Sequence, residues 1–331
     1  MIITMTPLRV SFLGGGTDYP EHFSQYGGAT LATSIDQYTY ITVSPLTEFF
    51  DHRIRVSYSC TELCKDVDEI QHPSVRECLK FMGIERGVEI NVVSDLPART
   101  GLGSSSSFTV GLLHALYAFQ GKIVNREQLA EKAVYVEREM IRERVGLQDQ
   151  YSCAYGGLVH LEFKNENRVT ITPITISQTR YQALQERLMM FYTGLQRNAH
   201  DVLEQQMVRT KEGVVTDYLL ELGKLVQHGI EVLTAGRDLA EFGELLHQGW
   251  SLKRQLSDAI SNSFIDDAYE RARKVGAIGG KLLGAGGGGF LLLYVEPYNQ
   301  ATVRQALADM REVNFNFENQ GSRLIFYRPQ N

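Results

Sequence analysis

The 331-residue sequence has few cysteines, and none of the four lies in a CxxC pair. Cys60, Cys64, Cys78 and Cys153, taken with His52 and His72, fit no standard zinc-knuckle spacing. They read as reduced thiols, and the expected compartment is a reducing cytoplasm. No apolar run approaches the length of a membrane span. The opening "MIITMTPLRV" lacks the basic-then-apolar pattern of a signal peptide. Lys and Arg total 33 against 39 Asp and Glu, a net charge of −6. That balance argues against nucleic acid or an anionic membrane as partner, so any anion site must be local.

What is present is ample apolar material, 43% of the residues, and a length that suggests two domains. "LRVSFL" (8–13), "YTYITVSPL" (38–46), "VEINVVSDL" (88–96) and "GGLVHLEF" (156–163) read as strands. Helices are expected from the serine run to about Gln120 and over 125–144, where Asn125 is a candidate cap. A polar passage with Pro173 divides the chain into 1–175 and 176–331. The second part opens on a strand at 187–194 and continues with helices to about Val275. A glycine-rich block, a helix near 299–311 and two short strands ending at Tyr327 complete it. Strands and helices mix without regular βαβ alternation, which predicts an α+β fold.

Three features carry chemistry. In "DLPARTGLGSSSSFTVGLLHAL" (95–116), Gly101 and Gly103 precede Ser104, Ser105, Ser106 and Ser107 at the start of an apolar helix. A helix N-terminus offers unpaired N–H groups and a positive dipole end, and glycines let a ligand approach closely. This suits phosphate, although one serine would also suffice as a cap. The block is neither a Walker A loop nor a dinucleotide fingerprint. On a helical wheel of 125–144, Glu137 falls on the apolar arc and Glu139 on the polar side. A buried carboxylate needs a partner, either an arginine or a divalent cation. Finally, Arg9 in "PLRVSF" alternates with Leu8 and Val10 and shares a face with Ser11.

"PLRVSFLGGGTDYPEHF", "LPARTGLGSSSS" and "GGKLLGAGGGGF" resemble, in order and spacing, the three motifs of the GHMP kinases, and the resemblance spans essentially the whole chain. Within that superfamily "FLGGGTDYPEHF", "VGLQDQYSCAYGG" and "FYTGLQRNA" look like the sugar kinases of nucleotide-heptose synthesis, and fucokinase-type enzymes share part of the pattern. The resemblance implies a GHMP kinase fold, with an N-terminal domain of the ribosomal-protein S5 type and a ferredoxin-like C-terminal domain. It implies ATP and Mg2+, with ATP phosphates held by Gly101, Gly103 and Ser104 to Ser107. The metal would be held by Ser105 and Glu137, with Glu139 as fallback. Asp149, otherwise a candidate Asx turn, becomes the group that orients or deprotonates the acceptor hydroxyl, with Arg9 beside it. Gly15, Gly16, Thr17 and Asp18 form the implied sugar loop, and Gly286 and Gly287 approach substrate. A sugar phosphate needs cations, for which Arg197 and Lys281 are candidates.

The implied reaction is phosphorylation of the anomeric hydroxyl of D-glycero-D-manno-heptose 7-phosphate, feeding GDP-heptose. Another anomeric sugar kinase, such as an L-fucokinase, or a non-catalytic sugar and ATP sensor on the same fold remains open. The expected partners are small molecules. No role follows for Trp250 or Lys253, and His114 reads as structural.

Overall fold

The first strand, Ile2–Leu13, pairs antiparallel with a long second strand, Gly28–Pro45, at the centre of a nine-stranded sheet. The computed structural model describes residues 1–165, 168–195 and 199–328. The second strand is long enough to serve two neighbours. Its first half pairs with Leu158–Lys164 and its second half with Val88–Ser94. From Thr6 to Leu13 the first strand is buried throughout. Leu8, Val10 and Phe12 join the core that includes Phe242 and Leu246. Arg9, on the alternate face, reaches the start of the serine helix, Ser104–Phe119.

The second sheet is antiparallel, in the order Arg311–Glu312, Leu188–Tyr192, Phe290–Val295, Ala277–Leu282. Helices Ala240–Arg254 and Ser263–Lys274 pack on it. The expected second part, 176–331, includes Phe317–Glu318 and Arg323–Tyr327, yet these strands hydrogen-bond to the second and first strands of the first sheet. The two chain ends therefore share one sheet. Among the described residues no helix is long and apolar enough to cross a membrane.

The expected helix over 125–144 is shorter as an α-helix. Asn125 caps it in a capping box with Gln128, and the α-helical part runs Arg126–Tyr135. A π turn follows over Val136–Met140, closed by Ile141 N–H donating to Val136 O at 2.9 Å. Arg142 then adopts a φ of 64°, through which no α-helix continues. The π turn keeps Glu137 inward.

The two sheets meet where the glycine-rich loops touch. Gly101 has a φ of 85°, and a Cβ there would lie 2.3 Å from Leu283 O. Gly101→Ala is expected to cost about 2–4 kcal/mol, combining left-handed strain with a backbone clash. Urea unfolding checks this, and a change under about 0.5 kcal/mol, the scale of a neutral surface substitution, contradicts the packing described.

Candidate active site

The serine helix begins at Ser104, with Gly103 in the left-handed region at φ 72° as its cap residue. The four serines have separate fates. Ser104 Oγ accepts the Arg99 N–H at 3.2 Å. Ser105 is exposed. Ser106 Oγ donates to Glu137 Oε2 at 3.0 Å. Ser107 Oγ donates to Thr6 O at 3.1 Å, tying the helix to the first strand. The exposed start of this helix presents unpaired N–H groups and the positive dipole end, the chemistry that binds phosphate.

Beside it lies a charge pair. Arg9 Nε and Nη2 donate to Asp149 Oδ1 and Oδ2, both at 2.8 Å, and Nη1 donates to Gly101 O at 2.7 Å. A Cβ on Gly103 would sit 3.1 Å from Arg9 Cγ and 3.4 Å from Asp149 Oδ2, so glycine is what lets the phosphate loop lie on the pair. Burial opposes the Arg9 charge, but Asp149 more than offsets it and the guanidinium is held above its ordinary range. Asp149 opens the helix Gln148–Tyr155, where a carboxylate suits the dipole. Its side chain is 25% exposed against 4% for Arg9, so the carboxylate is the reachable member.

Asp18 lies close by and is buried. Its Oδ1 accepts Gly16 N–H at 3.1 Å, and its backbone O accepts Leu147 N–H at 3.1 Å. Burial, and then the Asp149 charge, push its carboxyl up to about 6. Thr17 is structural: its hydroxyl accepts Ala29 N–H at 3.0 Å, while Gly14 O and Ala29 O lie at 2.8 Å as its acceptors.

Glu137 is fully buried, while Glu139 is exposed. Its Oε2 accepts from Ser106 and from Gln150 Nε2, the latter at 2.5 Å. Its Oε1 is buried without a hydrogen-bond partner among the described residues. Burial pushes this carboxyl up to about 7, against the bonds from Gln150 and Ser106. An orphaned buried carboxylate oxygen beside a phosphate-type helix start fits a Mg2+ ion held by one carboxylate and nucleotide phosphates. Among the described residues no three or more His, Cys, Asp or Glu gather into a metal-binding group. Ser106, rather than the expected metal ligand Ser105, is the serine whose hydroxyl reaches Glu137 directly. Successive helical positions turn about 100°, and the Glu137 side lies one residue later.

The glycine run joins the strands Ala277–Leu282 and Phe290–Val295. Its glycines are used mainly for backbone packing. A Cβ on Gly284 would meet Gly101 Cα at 2.3 Å, and one on Gly286 would meet Ile260 Cα at 2.7 Å. Gly287 N–H donates to Ile260 O at 2.9 Å. The side-chain spaces of Gly284 and Gly286 are thus filled by protein backbone. Lys281 is buried, and its Nζ donates to Phe12 O at 2.9 Å. Arg197 lies outside the described residues. Trp250 is fully buried in the core beneath the second sheet. His114 bonds Ser322 Oγ at 3.0 Å, and burial lowers it to about 4, a neutral structural imidazole.

Sequence reasoning missed Ser106 and Gln150 as the groups on Glu137, Gly146 against Asp18, and Lys253. A Cβ on Gly146 would fall 1.9 Å from Asp18 Oδ2. Lys253 is buried and its Nζ donates to Gly284 O. No local signal marks these residues, because each contact joins segments distant in sequence or on separate elements.

Comparisons with known proteins identify the family of the chain. The family model "GHMP kinases N terminal domain" matches residues 72–157 and "GHMP kinases C terminal" matches 229–312. The chain is 29% identical over 320 residues to a D-glycero-alpha-D-manno-heptose 7-phosphate kinase of Campylobacter jejuni, covering 92% of this chain and 93% of the relative. It is 26% identical to the bifunctional fucokinase/GDP-fucose pyrophosphorylase of Arabidopsis thaliana, over 92% of this chain and 31% of that one. A crystal structure of a D-glycero-D-manno-heptose 1-phosphate kinase from Bacteroides thetaiotaomicron superposes with a TM-score of 0.80 at 22% identity, over 99% of this chain and 100% of that one, and speaks for the fold. The two family matches together span more than half of the chain, one in each half, and with the three motifs in place the chain belongs to the GHMP kinases, phosphotransferases that act on an alcohol acceptor.

Proposed function

We propose that this protein is an ATP- and Mg2+-dependent sugar-phosphate kinase of the reducing cytoplasm, transferring a phosphoryl group to the anomeric hydroxyl of D-glycero-D-manno-heptose 7-phosphate for GDP-heptose synthesis. The observation that carries the kinase reading is the bidentate Arg9–Asp149 pair packed against Gly103 at the start of the serine helix. The heptose reading is supported by likeness to the Campylobacter enzyme over 92% of the chain.

Phosphoryl transfer asks the protein for positioning and charge stabilisation. The amides of Gly103 to Ser106 hold the nucleotide phosphates, and Ser105 faces them from the exposed edge. Glu137, with Ser106, supplies the protein's part of the metal site. Bound Mg2+ would neutralise phosphate charge. Asp149 takes the proton of the acceptor hydroxyl as its oxygen bonds to the γ-phosphorus and the bond from that phosphorus to the bridging oxygen of ADP breaks. Arg9 aims the Asp149 carboxylate through both of its oxygens, and adds positive charge where the transferred group passes. Asp18 accepts sugar hydroxyl bonds within the loop of Gly15 and Gly16, and Lys281, whose Nζ lies 3.9 Å from where a Cβ on Gly15 would be, is a cation for the acceptor's own phosphate.

Because Asp18 titrates near 6 and must be ionised to accept those bonds, the acceptor KM is expected to rise as pH falls through about 6. Asp18→Asn should behave at pH 7 as the parent does at pH 5. A KM flat from pH 5 to 8 in the parent sinks this assignment.

The direct assay is ADP release with ATP, Mg2+ and a panel of sugars and sugar phosphates. Heptose 7-phosphate should exceed all others in kcat/KM. Equal turnover of unphosphorylated hexoses removes the heptose-phosphate reading, and preference for L-fucose replaces it with a fucokinase.

A further inference from the structure

We propose that Ser11, Lys253 and Lys281 form a buried pocket for a phosphoryl anion beneath the first and third glycine loops. Lys253 lies in the last turn of helix Ala240–Arg254, and Lys281 lies in strand Ala277–Leu282. Both are about nineteen-twentieths buried, with 6% and 5% exposure. Each ammonium carries three donors, yet each has one hydrogen-bond acceptor among the described residues: Gly284 O for Lys253 and Phe12 O for Lys281. Two donors on each are left without an acceptor among the described residues. Ser11, 4% exposed, has a buried hydroxyl with no partner among the described residues. Gly15 brings Ser11 and Lys281 together, and the Lys253 charge acts on Lys281 from the third glycine loop. A Cβ there would lie 3.7 Å from Ser11 Oγ and 3.9 Å from Lys281 Nζ, with no atom nearer. The space beside Gly15 is therefore bordered by an orphan hydroxyl and an ammonium, and the glycine leaves it open.

The charges around this space do not cancel. The charged groups that act on the two lysines are Arg9, Asp18 and Asp149. Arg9 already matches Asp149, and a single further carboxylate, Asp18, faces two ammonium groups. Burial, reinforced by Arg9, lowers Lys253 to about 8. Burial, reinforced by Lys253 and Arg9, holds Lys281 well below its ordinary range. An entering dianion supplies the missing acceptors and the missing charge. A lysine kept only to hold one carbonyl would carry the desolvation cost without that return.

The anion has two possible sources with one chemistry: the phosphate that the acceptor already carries, or the phosphoryl group in transit. Only the first rests on the sugar-phosphate reading above. The test uses Lys253→Met and Lys281→Met, which keep the stem volume, together with Ser11→Ala. With the serine loop filled by saturating Mg-ADP, inorganic phosphate should raise the melting temperature of the parent. Phosphate affinity should fall about tenfold or more in each Met variant. Because a buried charge has been removed, the Met variants themselves should be at least as stable as the parent.

A raised acceptor KM at near-parental kcat assigns the pocket to the acceptor's phosphate. A lowered kcat at unchanged KM assigns it to the transferred group. Parental phosphate affinity in both Met variants overturns the pocket. So does a lowered melting temperature in both, which marks the lysines as structural. A parent that binds phosphate in the presence of Mg-ADP but turns over no sugar phosphate removes the sugar-phosphate reading and leaves the pocket standing.

Discussion

Asp149→Asn is expected to lower kcat by about 10²–10⁴ while the protein stays folded. Asparagine keeps one acceptor for Arg9 but cannot take a proton from the acceptor hydroxyl. The bidentate contact at 2.8 Å on both arms is reduced to one neutral bond, while Arg9 Nη1 keeps Gly101 O. The stability loss should be about 1–3 kcal/mol, the scale of leaving a hydrogen-bonded charged group underpaired. The acceptor KM should change far less than kcat, since Asp18 and its loop remain. Steady-state kinetics with circular dichroism checks both halves of the expectation. A kcat within threefold of the parent removes Asp149 as the base, and such activity would also be incompatible with the assigned chemistry of the pair.

Glu137→Gln is expected to separate stability from activity in opposite directions. The unfolded chain ionises this carboxyl near its ordinary 4.5, whereas the folded protein holds the proton up to about 7. The folded state therefore binds more protons between these limits, and stability falls as pH rises from about 4.5 to 7, remaining low above that. The difference corresponds to about 3 kcal/mol. Glutamine fits the same bonds to Ser106 and Gln150 without the buried charge, so the variant should be more stable than the parent at pH 8 and closer to it at pH 5. Catalysis should move the other way. The half-saturating Mg2+ concentration should rise about tenfold or more, and kcat should fall about 10²–10³. Melting temperatures from pH 4 to 9, with and without Mg-nucleotide, decide the matter. Parallel profiles for parent and variant would show that the Glu137 charge carries no such penalty.

The pattern of these expectations follows from where the chain spends its buried polar groups. Arg9, Asp18, Glu137, Lys253 and Lys281 are each almost fully buried. A chain selected for stability alone would bury apolar residues at such positions. Here the buried charges converge on the start of one helix and on the loops beside it.

Local patterns along the chain already specify the α+β class, the serine helix with its phosphate-type start, and the inward direction of Glu137. Each rests on short-range periodicity: apolar residues at helical spacing put Glu137 on the buried arc, and alternation put Arg9 opposite Leu8 and Val10. The three glycine-rich motifs likewise carried the family. Which groups meet depends instead on the packing of separate elements. Ser106 rather than Ser105 contacts Glu137 because a π turn and a 100° helical step set the angle between two separate elements. Lys253 reaches Gly284 across 31 residues, and Gly146 abuts Asp18 across more than a hundred. The third glycine run packs on Gly101 and Ile260 rather than standing open. The final strand returns to pair with the first, which no local pattern encodes. Such contacts depend on how whole sheets and helices pack, and packing is a property of surfaces assembled from distant segments, not of any window of sequence.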